Sequence, residues 1–260
     1  MGNSFGDFLN RNSVQPSGYL PLVHTTAAYH LGPIRAQGKI APQKCDVFAG
    51  KLSYFFFGRP AYKVRGGSGQ ASDWELPACL IFDYQAIPSP KRVYPFDSGA
   101  FTNGLMPHYI SMMDRDNFEV SSLSNAPARI VGAYFSDVRA YFKGDARGTA
   151  EFQREFSPGV FDAEVRAVHR LALESNNTKV DDRRLTVELQ IEQAIDLTIT
   201  APIAVVAPLP YFDDADFRNH VVNEWKAQPI GYPVYSLSVE QYYQAIYERV
   251  ENLYKSLGLL

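Results

Sequence analysis

The chain has 260 residues, of which 46% are apolar, and this is enough to bury the core of one large domain. With 25 Lys and Arg against 28 Asp and Glu, the net charge of −3 excludes a globally basic field, so nucleic-acid binding would need a local patch. The two cysteines, Cys45 and Cys79, have no zinc-binding spacing, which predicts no metal site and a reducing, cytoplasmic setting.

The first segment of the chain, residues 1–18, is polar and contains several Asn, Ser and Gly residues. It predicts a loose N-terminal arm, dispensable for folding, ahead of a single domain at 19–260. No apolar run follows a basic start, and no stretch is long enough to cross a bilayer. We therefore expect neither a signal peptide nor a membrane partner.

Two early strands end in polar side chains. The first is apolar until His24, and the second, residues 51–57, is aromatic until Arg59. Between them a helical pattern stops at Gly38, a residue type that commonly ends helices. Two such strands would bring an imidazole and a guanidinium to one cleft, which suits an anionic, aromatic ligand.

The remainder of the chain alternates between strand and helix patterns. Amphipathic helices are predicted at 125–143 and 160–174, and a C-terminal helix begins with a capping box at Ser238. His169, in the second of these helices, is interpreted as a surface or rim residue rather than a ligand. Further strands are predicted at 78–82, 92–96, 185–190 and 203–207.

The late strand at 185–190 carries a candidate carboxylate, Glu188. Its apolar residues alternate with a second set on the opposite face, namely Thr186, Glu188 and Gln190. That second face either contacts solvent or holds the carboxylate in a cleft, and the pattern leaves both interpretations open. The continuous apolar run at 203–207 predicts a central strand close behind it.

Taken together, these features resemble the ADP-ribosyltransferases and are most similar to the DarT-type branch, which modifies nucleic acid. The resemblance rests on His24-Thr25-Thr26, on an aromatic strand that continues into Gly58-Arg59-Pro60-Ala61-Tyr62, and on the Glu188 strand. It covers both ends of the chain but not residues 63–180. It implies an α/β fold with a split, mostly antiparallel sheet, flanking helices, and NAD as the substrate.

The resemblance also implies ligand-binding roles at the N-terminal end of the chain. His24, supported by Thr25, would hydrogen-bond a ribose hydroxyl of NAD. Tyr54 or Tyr62 would stack on the nicotinamide ring. Arg59 would meet the pyrophosphate or orient the acceptor, because a guanidinium offers several donors in a fixed fork.

Glu188 would be the catalytic carboxylate in this scheme. It would hold the nicotinamide ribose and stabilise the positive charge that develops at the anomeric carbon as nicotinamide leaves. Many transferases carry Gln or Glu two residues earlier, whereas here Thr186 occupies that position and Gln190 follows. This departure leaves the acceptor open.

The predicted function is transfer of ADP-ribose to a macromolecule, with DNA or RNA favoured over protein, by a toxin or defence effector whose partners include an antitoxin. An NAD glycohydrolase would use the same residues with water as the acceptor. A non-enzymatic module that binds a nucleotide or a partner, with Glu188 as a surface residue, is another alternative. A hydrolase using Cys79 with His24 or His108 is disfavoured, because neither cysteine lies in a recognisable nucleophile turn.

Overall fold

The structure, a computed structural model, describes residues 4–11, 13–61, 70–174 and 182–260. The chain is mixed α/β, with mostly antiparallel strands and flanking helices, as predicted. It divides into two compact units. The first unit comprises residues 1–19, 46–49 and 90–190, and the second comprises 20–45, 50–89 and 191–260. The single domain predicted at 19–260 stays a prediction.

The strands and helices have the following bounds. The strands are β1 (Leu22–Ala27), β2 (Lys39–Ile40), β3 (Gln43–Lys44), β4 (Lys51–Phe57), β5 (Pro77–Phe82), β6 (Arg92–Tyr94), β7 (Glu188–Ile191), β8 (Ile195–Asp196), β9 (Ala204–Pro208) and β10 (Gln228–Tyr232). The α-helices are α1 (Ser4–Leu9), α2 (Leu31–Gln37), α3 (Ser98–Thr102), α4 (His108–Ser111), α5 (Ala126–Tyr134), α6 (Val138–Lys143), α7 (Thr149–Phe156), α8 (Ala163–Leu173), α9 (Leu209–Asp213), α10 (Ala215–Asn219) and α11 (Tyr243–Ser256).

The second unit is built on strands in the order β10-β9-β5-β1-β4, with β3 paired to β4. Only the β9–β10 pair among these is parallel. Strand β9 is buried along its whole length between β5 and β10, which confirms the central strand predicted at 203–207. The capping box at Ser238 and Gln241 is also present, one short turn ahead of α11.

Strands β1 and β4 pair only briefly and then diverge. All six residues of β1 pair with β5, whereas the ladder between β1 and β4 contains only Leu22 with Phe57 and Val23 with Phe56. Both strands continue past this point, β1 to Ala27 and β4 back to Lys51. The sheet of the second unit therefore opens into a wedge between residues 24–26 and 52–54.

The N-terminal segment packs into the first unit. Phe5, Phe8 and Leu9 of α1 are fully buried. The Phe5 ring contacts Phe118 edge-on with 5.8 Å between ring centroids, and the Phe8 ring contacts Phe156 edge-on at 5.7 Å. These contacts correct the prediction of a loose arm at 1–18 for the residues described. The polarity of the segment was misleading because its few apolar side chains lie on one helix face.

Two other predictions for the first unit are wrong. The helix predicted at 125–143 is divided into α5 and α6, because Asp137 starts a new helix by accepting a hydrogen bond from Ala140 N at 2.8 Å. His169 is buried rather than at the surface: its Nε2 lies 2.8 Å from Arg147 O, and its ring stacks on Phe152 at 4.0 Å between centroids.

Candidate functional site

A cavity of about 440 Å³ occupies the wedge between β1 and β4 in the second unit. Its walls include His24, Thr25 and Tyr54, three of the residues predicted to bind NAD. Cavities of this size commonly hold small molecules. The divergence of two strands is the physical reason for the cavity, since a continued ladder would bring their backbones to about 5 Å and close it.

The His24 imidazole is held in a single tautomer by a hydrogen bond to the backbone. Its Nδ1 lies 2.9 Å from Tyr54 O, and because a carbonyl oxygen can only accept, Nδ1 must carry the proton. Burial lowers the pKa of His24, the bond to Tyr54 O opposes this effect, and the charge of His30 lowers the pKa further. The ring is therefore neutral at pH 7, and its Nε2 is a hydrogen-bond acceptor in the cavity wall.

Tyr54 is held through its hydroxyl as well as its backbone. Its Oη lies 2.7 Å from Cys45 Sγ, and the side chain is half-buried. Stacking of this ring on nicotinamide stays a prediction. The second candidate for that role, Tyr62, lies outside the described residues.

Thr25 Oγ1 lies 3.7 Å from Cys79 Sγ, its partner across the β1–β5 ladder. Cys79 is fully buried, and burial raises the pKa of its thiol to about 12. The thiol is therefore protonated at neutral pH and unsuited to act as a nucleophile. This finding argues against a hydrolase built on Cys79.

Arg59 lies elsewhere in the second unit. It is 6% exposed, and its guanidinium carbon is 5.8 Å from the centre of the Tyr247 ring in α11. The preceding Gly58 has φ +69°, and a Cβ there would collide with Leu20, so the turn after β4 requires glycine. Arg59 does not line the cavity that contains His24.

Glu188 belongs to a hydrogen-bonded cluster within the first unit. Its Oε1 accepts bonds from Ser98 Oγ at 2.6 Å and from Gln190 Nε2 at 2.8 Å, and its Oε2 accepts from Ser98 N at 3.2 Å. The residue is only 1% exposed. The solvent-facing interpretation of this strand is therefore wrong, and so is the alternative in which Glu188 is a surface residue.

The environment of Glu188 favours its protonated form. Burial, followed by the charge of Asp97, raises the pKa of Glu188 from 4.5 to about 8, although the bonds from Ser98 and Gln190 oppose the shift. Glu188 therefore titrates much closer to neutral pH than an exposed carboxyl group does. A role that depends on its charge requires the carboxyl group to ionise when a ligand binds.

The cluster includes groups that sequence reasoning missed. Asp97 caps α3 by accepting a bond from Ala100 N at 2.6 Å, and Ser98, the first residue of that helix, donates to Glu188 through its backbone N and its Oγ. Gln190 also accepts from Arg92 Nη1 at 3.2 Å, directly across the β6–β7 ladder. The sequence shows that Asp97 can cap a helix, but it does not show that the start of this helix packs against Glu188 of β7.

Comparisons with protein-family models, with curated proteins and with solved structures found no match. Within residues 4–11, 13–61, 70–174 and 182–260, no group of three or more His, Cys, Asp and Glu side chains could hold a metal ion. No helix in the same residues is long and apolar enough to cross a membrane.

Proposed function

We propose that the chain is an NAD-dependent ADP-ribosyltransferase that acts on a macromolecule, with DNA or RNA favoured over protein, as a toxin or defence effector. The observation that carries this proposal is the wedge cavity with a neutral His24 in its wall. A ribose hydroxyl needs an acceptor, and the unprotonated Nε2 supplies one whose orientation is already fixed by Tyr54 O. Such preorganisation favours ligand binding because the ring needs no rearrangement.

Glu188 supplies the chemistry in this proposal. The bond between the anomeric carbon and the nicotinamide nitrogen breaks, and its electron pair leaves with nicotinamide. A nucleophile of the acceptor forms the new bond to that carbon and releases its proton to solvent. The nicotinamide ring of NAD is positively charged before cleavage, and positive charge develops on the ribose as nicotinamide leaves. Either charge lowers the pKa of a nearby carboxyl group, which favours the ionised Glu188 that stabilises the transition state.

The test is nicotinamide release and label transfer from NAD labelled in its adenosine part, offered with DNA, RNA or a protein extract. Wild type is compared with His24→Ala, Glu188→Gln and the control His108→Ala, which alters an exposed histidine in α4. We expect label on a nucleic acid with wild type and the control, and strongly reduced label with the other two. Nicotinamide release without labelled macromolecule would favour the glycohydrolase, and no release under any condition would refute the proposal.

A further inference from the structure

We infer that the wedge cavity binds a nucleoside phosphate with its phosphate groups at Lys44 and Lys51 and a polar group at Ser53. The inference deepens the proposed function and rests on it for the identity of the nucleotide. It assigns phosphate recognition to residues of β3 and β4, whereas the family resemblance assigned that role to Arg59.

The first observation is a pair of like charges. Lys44 of β3 and Lys51 of β4 are direct partners in an antiparallel ladder, and both side chains are exposed. Like charges in this position repel each other and destabilise the pair of strands. An anion bound between the two ammonium groups would remove that repulsion, and Lys44 already lines the cavity.

The second observation is a buried hydroxyl group. Ser53 lines the cavity and is 4% exposed, and its Oγ has no hydrogen-bond partner in the part of the chain that the structure describes. A buried hydroxyl without a partner destabilises the folded protein, because it loses its hydrogen bonds to water and gains none in return. A ligand oxygen in the cavity would satisfy it.

These groups follow one another along one face of β4. Alternate residues of a strand share a face, so Lys51, Ser53 and Phe55 lie on the same side. The His24 ring packs against Phe55, with 5.3 Å between ring centroids. From Lys51 to Phe55 the strand advances by about 13 Å. The face therefore offers cations at one end, a hydroxyl in the middle and a neutral acceptor at the other end.

This order matches the chemistry of a nucleoside phosphate. The ribose hydroxyls would contact His24, and the phosphates would extend towards Lys44 and Lys51. A third lysine in the cavity wall, Lys39, is a weaker candidate because it lies opposite Asp196 in the β2–β8 pair. Hydrogen bonds from the Thr198 side chain and backbone lower the pKa of the Asp196 carboxyl, and the charge of Lys39 lowers it further.

Calorimetry with ADP and with adenosine separates phosphate recognition from nucleoside recognition. We expect Lys44→Glu and Lys51→Glu each to weaken ADP binding by about fivefold or more, and to leave adenosine binding nearly unchanged. The matched control is Lys226→Glu, an exposed lysine of the same unit outside the cavity wall, for which ADP affinity should not change. Equal ADP affinity in all three variants, or no binding of ADP by the wild type, would overturn the inference.

Ser53→Ala supplies an independent readout. It removes the unpartnered hydroxyl, so the ligand-free variant should unfold at the same or a higher temperature than wild type, while the stabilisation that ADP adds should decrease. A variant that gains as much stability from ADP as wild type does would remove Ser53 from the site.

The two proposals fail in different ways. Turnover of NAD together with ADP binding that is independent of Lys44 and Lys51 would refute the inference and leave the proposed function intact. Lysine-dependent ADP binding without any NAD turnover would refute the proposed function and retain the nucleotide site.

Discussion

The cavity of the second unit and the carboxyl cluster of the first unit use polar groups in opposite ways. In the cavity, His24 Nε2 is an acceptor in a half-buried wall, and Ser53 Oγ has no partner within the described residues. In the cluster, both oxygens of Glu188 accept hydrogen bonds, and the residue is buried. The first arrangement leaves polar groups available to a ligand, whereas in the second, burial and the charge of Asp97 disfavour ionisation of the carboxyl group.

Glu188→Gln should separate these two roles most sharply. The substitution preserves the shape of the side chain but removes its charge, so we expect turnover of NAD to fall by about a hundredfold or more while NAD affinity changes little. Steady-state kinetics and calorimetry on the same preparations would measure both quantities. Equal losses in turnover and affinity would contradict a role limited to the transition state.

The contribution of helix α1 to the stability of the first unit can be tested by truncating Phe8. Phe8→Ala removes a fully buried ring and should lower the free energy of unfolding by about 3–5 kcal/mol. Phe161→Ala is the matched control, because that side chain is 94% exposed and should contribute almost nothing. Urea denaturation would give both values. Similar stability in the two variants would restore the interpretation of residues 1–18 as a loose arm.

The protonated state of Glu188 predicts how stability depends on pH. Its pKa is raised from 4.5 to about 8 in the folded protein, so the unfolded chain releases this proton first as the pH rises. The stabilising contribution of the group is thus complete below about pH 4.5 and is lost as the pH rises through about 8.

Denaturation of wild type and Glu188→Gln between pH 5 and pH 9 would measure this effect. Other carboxyl groups are common to both proteins and cancel in the difference. We expect wild type to lose stability relative to the variant over that range, by up to a few kcal/mol. Parallel stability curves would show that Glu188 is ionised in the folded protein.

The smallest expected effect concerns the cavity itself. His24→Ala removes one directional acceptor, so NAD affinity should fall by about tenfold, while His108→Ala should leave it unchanged. Calorimetry at pH 7 would test both variants. Unchanged affinity in His24→Ala would remove the imidazole from the ligand site and with it the main support for the proposed function.

Sequence patterns predicted the second unit better than the first. Strand β9 is a continuous apolar run, β4 ends in four aromatic residues and β1 begins with two apolar residues before His24. The stop at Gly38 has a direct backbone cause, since this residue adopts φ +62° at the end of α2. Such signals are local. They do not depend on which strand becomes a neighbour.

The errors lie where tertiary contacts decide. Alternation at 185–190 left open whether the second face contacts solvent or holds a carboxylate in a cleft. In the structure Thr186, Glu188 and Gln190 are all buried, so the solvent-exposed interpretation is wrong. His169 looked like a surface residue because its partners, Arg147 O and the Phe152 ring, come from other segments. The hydroxyl of Ser53, which has no partner among the residues that the structure describes, could not be recognised from the sequence, because its position depends on the divergence of β1 from β4.

That divergence has a consequence for mutational scanning. Where the ladder between β1 and β4 stops, residues of both strands line the cavity, and one main-chain group there, Tyr54 O, accepts a bond from the His24 ring. A ligand held partly by peptide groups keeps those contacts when side chains are truncated. Alanine scanning of the wedge should therefore underestimate its binding energy, and backbone amide-to-ester replacement would recover the missing part.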